Sequence, residues 1–84
     1  MLPEIDFSSF IFSLSTSALL HLGEIPDPMT RERHKDLPLA KQTIDILGML
    51  EEKTKGNLAP DEGKLLETIL ADLRLRFVQE AKGK

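Results

Sequence analysis

Cysteine is absent from the chain, which rules out disulfides and thiolate-held metals. Tryptophan and tyrosine are absent too, so a base-stacking platform would have only four phenylalanines to draw on. Charge of one sign is scarce: eleven Lys and Arg stand against fourteen Asp and Glu, interspersed, for a net −3. That leaves no basic stripe to neutralise phosphates, and nucleic acid is not an expected partner. The glycines at 23, 48, 56, 63 and 83 are isolated, so no phosphate-cradling loop is present. No G-x-S-x-G elbow occurs, and the serines lack a recognisable triad. No apolar run reaches the roughly 20 residues that a bilayer-spanning helix needs. The residues before the most apolar stretch are acidic where a secretory signal would be basic. These absences point to a cytoplasmic protein with no cofactor, no membrane span and more the character of a binding module than of an enzyme.

What remains is short and helical. Eighty-four residues allow one domain, 1–84, with a core so small that packing against a second subunit would help to complete it. Met1 to Ile5 is a lead-in. Asp6 stands where a helix N-cap belongs and Gly23 where a helix stops, which brackets a first helix at 7–22. Its sixteen residues, FSSFIFSLSTSALLHL, include nine apolar and six hydroxyl side chains and no permanent charge. At helical spacing Phe7, Phe10, Ile11, Leu14, Ala18, His21 and Leu22 share an arc of about 120°, the width of a core-facing stripe. Residues 23–37 read as an irregular linker, with Pro26 and Pro28 breaking helix and a mixed-charge run from Arg31 to Asp36. Ile25 and Met29 are its candidates for contact with the body.

A second helix is predicted over 38–55, capped by Asp36 and closed by Gly56, with Leu39, Ala40, Thr43, Ile44, Ile46, Leu47 and Leu50 on its apolar face. A third is predicted over 60–82, opened by Pro60, with Leu66, Ile69, Leu70, Leu73, Phe77 and Ala81 inward. Asp72 and Arg76 form an i, i+4 pair on its surface. The cap position, Ala59, supplies no side-chain acceptor. Gly48, inside the second helix, costs about 1 kcal/mol relative to Ala, which a close helix contact would explain. Strand-period alternation is missing throughout. The expected fold is all-α: three helices completed by homo-oligomerisation, most simply as a dimer.

The oligomer follows from apolar residues that fall off these stripes. Phe12, Leu19, Leu20, Met49, Leu65, Leu75 and Val78 are many for the outside of so small a protein. The first helix also carries a line of small hydroxyls, Ser9, Ser13 and Ser17, where Lys and Glu would normally face solvent. The candidate interface is therefore Ser9, Phe12, Ser13, Ser17, Leu19 and Leu20, open to a second copy and to an unidentified protein partner. A different class of function would use His21 with the linker. His21, Asp27 and His34 could form a polar site for a small ligand or metal, or an acid–base pair. The simpler reading of His21 is a ring at the core edge, its charge favoured by the helix C-terminus.

Three segments resemble a known family: Phe7–Pro28 (FSSFIFSLSTSALLHLGEIPDP), Leu37–Leu58 (LPLAKQTIDILGMLEEKTKGNL) and Leu65–Val78 (LLETILADLRLRFV). The family is the small bacterial one catalogued as domain of unknown function 1844, and the likeness covers nearly the whole chain. It implies a bacterial, cytoplasmic, all-helical protein. It implies no activity, and it carries no catalytic residue onto this chain. Relatives often have Thr before the third helix where this chain has Ala59, and Tyr near its end where this chain has Phe77.

Overall fold

The computed structural model describes residues 5–82. The ends of the expected 1–84 domain, residues 1–4 and 83–84, lie outside the described residues, as does most of the Met1–Ile5 lead-in. The described chain forms three helices, α1 (Phe7–Leu22), α2 (Leu37–Lys53) and α3 (Pro60–Ala81), and no strand. None of them is long and apolar enough to cross a membrane.

Local chemistry explains each boundary. Asp6 accepts from the Ser9 amide at 2.8 Å, and the Ser9 hydroxyl accepts from the Asp6 amide at 3.1 Å, a reciprocal capping box. At the other end of α1, Gly23 takes φ +80° while the Glu24 amide reaches back to the Leu19 carbonyl and the Gly23 amide to that of Leu20. This Schellman closure needs the left-handed region that glycine enters freely. A Cβ at Gly23 would also sit 3.0 Å from the Lys35 side chain. Asp36 caps α2 through the Leu39 amide. α2 stops at Lys53, two residues before its predicted end: the Thr54 amide makes the last i−4 bond, to the Leu50 carbonyl that its hydroxyl also takes, and the Lys55 amide turns to the Glu52 carbonyl instead. Gly56 then belongs to the following turn, at φ +86°. α3 starts with half a capping box: Glu62 accepts from the Ala59 amide at 2.9 Å, and Ala59 returns nothing.

The linker is ordered. Asp27 organises its first half: its carboxylate accepts from the Met29 amide, its carbonyl from the Arg31 amide and its amide donates to the Glu32 carbonyl. Arg31, at φ +63°, closes that turn. The linker then returns to where α1 ended, and the Asp36 amide donates to the His21 carbonyl at 2.7 Å. α2 thus begins beside the end of α1 and runs back along it. Two long-range ion pairs tie this junction to the last turns of α3: Lys35–Glu80 at 2.6 Å and Arg76–Glu24 at 3.1 Å. Arg76 also holds Asp72 one turn away at 2.9 Å, the expected i, i+4 pair.

All three helices contribute to one core. Ile11, Ala18 and Leu22 meet Ala40, Ile44 and Leu47, with Leu66, Leu70 and Leu73 from α3. The Thr43 hydroxyl, nearly buried among them, is committed to the Leu39 carbonyl. Gly48 lies under Arg74, whose guanidinium would stand 3.0 Å from an added Cβ; the flexible end of that exposed side chain can move aside, so no close helix contact explains a glycine inside α2. Several inward assignments are corrected. Phe10, Leu39, Ile46, Ala81 and Met29 are exposed, and Leu19, assigned to the outer ridge, packs against the core. The physical reason is thinness. The molecule is a slab of 37 × 35 × 16 Å, so each helix buries a narrower arc than a full bundle would cover.

Hydrogen bonds from Ser9 hold the Asp6 carboxyl below its ordinary value, and the hydrogen bond from Lys35 does the same for Glu80. A depressed carboxyl contributes stability above its unfolded value of about 4, and that contribution is lost as pH falls through the lower folded value. Urea midpoints are therefore expected to drop below pH 4, and to drop less in an Asp6→Asn, Glu80→Gln variant. Leu47→Ala is expected to cost about 2–5 kcal/mol as a core truncation, and Gly23→Ala more than about 1 kcal/mol because of its positive φ, both measured by urea unfolding.

Candidate functional site

The outer face of α1 is built without charge. Ser9, Phe12, Ser13 and Thr16 follow one another at helical spacing and are exposed; Phe12 keeps 55 % of its surface. Ser17 and Leu20 continue the face and are half-buried. Five of the six predicted interface residues thus share this surface, while Leu19 turns inward. The sixteen residues of α1 bury only Ile11, Ala18 and Leu22 fully; five are exposed and eight half-buried, so an uncharged helix keeps a broad strip open to solvent. Uncharged hydroxyls can donate and accept at once, which lets such a face match many polar surfaces, including its own copy.

A second face lies on α2. Pro38, Leu39, Gln42, Ile46 and Met49 line an open groove, flanked by Lys41 and Asp45. The latter two pair with each other at 2.8 Å and so leave the groove without net charge. Sequence reasoning placed Leu39 and Ile46 in the core and missed this face. The available signal was the i, i+3, i+7, i+10 spacing of 39, 42, 46 and 49, a second stripe beside the buried one.

The predicted polar residues come together. His21, Asp27 and His34 line one cleft of about 260 Å³ with Leu20, Lys35, Asp36 and Leu39, where the end of α1 meets the linker and the start of α2. His21 Nδ1 is buried and makes no hydrogen bond among the described residues. The other groups are largely committed. Asp27 accepts from the Met29 amide, Asp36 caps α2, Lys35 pairs with Glu80, and His34 lies 3.6 Å from Glu32 on the exposed side. Among the described residues no three His, Asp or Glu side chains are grouped to hold a metal ion. The cleft can offer imidazole nitrogens to a small polar molecule. It presents no nucleophile with a base at hand.

Comparison with known proteins agrees with the sequence resemblance. The family model described as Domain of unknown function (DUF1844) matches residues 4–79, which span α1, α2 and most of α3. The chain belongs to that family. No curated protein and no solved structure matches it.

Proposed function

We propose that this family member is a self-associating protein-interaction module of the bacterial cytoplasm, without catalytic activity. One observation carries the reading: α1 exposes an uncharged surface containing Phe10, Phe12 and a row of hydroxyls, where a solvated helix would carry Lys and Glu. Covering that surface removes apolar area from water and breaks no ion pair. A second copy of this chain is the simplest cover, because twofold pairing presents one surface to itself and small hydroxyl side chains allow close approach. The lack of cysteine is compatible with a reducing compartment.

A second reading has its own support. The cleft that gathers His21, Asp27 and His34, with a buried His21 Nδ1 that has no partner among the described residues, favours a regulator that binds a small polar ligand. Ligand-dependent protection against heat that disappears in His34→Ala would carry it.

For the module, sedimentation equilibrium at micromolar concentration is expected to return the mass of two chains. Ser13→Glu together with Thr16→Glu, which charges the face without touching the core, is expected to return one. A single-chain mass for the unaltered protein contradicts the reading.

A further inference from the structure

Two helices carry the same spacing on their outer sides, exposed throughout on α2 and exposed at Phe10 and Ser13 but half-buried at Ser17 and Leu20 on α1. On α1 it is Phe10, Ser13, Ser17 and Leu20; on α2 it is Leu39, Gln42, Ile46 and Met49. Each is a 3-4-3 step, the pattern by which one helix seats another in left-handed packing. No residue in either row is buried, and none is charged. Each row is about 15 Å long at 1.5 Å per residue. The rows are neighbours, since Leu20 and Leu39 line one cleft and Leu39 continues through Ile46 to Met49 along the next.

Resting on the self-association proposed above, we infer how two copies meet: the α1 row of each lies on the α2 row of the other, about a twofold running along the helices. The fold sets the register. α2 runs back along α1 with Leu39 beside Leu20, so a twofold in this direction keeps those levels together. Leu20 then meets Leu39 of the partner subunit, and Ser17 meets Gln42 of the partner subunit. Ser13 meets Ile46 of the partner subunit, and Phe10 meets Met49 of the partner subunit.

Each level is chemically matched. Leucine packs on leucine. The Ser17 hydroxyl and a glutamine amide satisfy one another as donor and acceptor. The Ser13 hydroxyl can turn back to the carbonyl one turn earlier, leaving a small side chain against isoleucine. A thioether against a phenyl ring is a favourable contact. The rival twofold stacks α1 on α1 and α2 on α2. It sets Gln42 against Ile46 of the partner subunit and buries an amide with nothing to bond. The net charge of −3 on each copy lies outside both rows.

The natural lack of cysteine makes the test clean. A Ser17→Cys chain is coexpressed with a size-tagged Gln42→Cys chain and oxidised; a second pair combines Ser13→Cys with Ser17→Cys. Disulfides form only where Cα atoms come within about 7 Å. The first pair is expected to give the mixed cross-linked dimer in several-fold excess over either like pair, and the second pair little product. Dominant 13–17 linkage, or no 17–42 linkage, with a two-chain mass retained overturns this arrangement and leaves self-association standing. A one-chain mass for the unaltered protein overturns both.

Discussion

A helix of sixteen residues without a single charged side chain is covered by this fold only in part. α1 inserts Ile11, Ala18 and Leu22 into the core, and Phe7, Leu14 and Leu19 lean against it. The rest of its circumference carries Phe10, Phe12 and a row of Ser and Thr in open solvent. Hydroxyls keep such a surface soluble, since each can bond water or its own backbone. They do not repel a neighbour as Lys and Glu would. The other elements follow from this constraint. Asp6 and Gly23 define the helix ends sharply, so the uncharged surface is presented as one rigid face.

The linker decides where α2 stands relative to that face. Asp27 folds the first half on itself, and the Asp36 amide fastens the second half to the His21 carbonyl. Lys35–Glu80 and Arg76–Glu24 then bring the last turns of α3 to the same corner. These half-exposed pairs fix the position of α3 at that corner. The result is a junction where the end of α1, the start of α2 and the end of α3 meet, with Leu20 and Leu39 side by side. The α2 groove thereby extends the α1 face instead of opening on another side of the molecule. The same closure creates the His21 cleft, whose carboxylates are mostly spent on backbone amides.

Much of the fold was legible because the caps are local. Asp6, Gly23, Asp36 and Pro60 name their helix ends through interactions a few residues long, and the Asp72–Arg76 pair is one turn apart. What stayed hidden depends on contacts distant in sequence. The direction of α2 is set by a bond between residues 21 and 36, and periodicity carries no trace of it. Phe10, Leu39 and Ile46 were read as core because they fall within broad apolar arcs; a thin slab buries only the middle of each arc. Leu19 went the other way, since α1 turns it against the core. In the polar trio, His21 is marked by its place in the apolar arc at the end of the first helix and Asp27 and His34 by residue type, and the turn at Asp27 is what gathers them.

The central claim is that the uncharged face of α1 is an interface between copies of this chain. Linkage gives a direct test, because a protein stabilised by self-association unfolds at a temperature that depends on its concentration. Thermal unfolding followed by circular dichroism from micromolar to near-millimolar protein is expected to show a midpoint that climbs steadily with concentration. A midpoint that stays constant across that range would contradict the account.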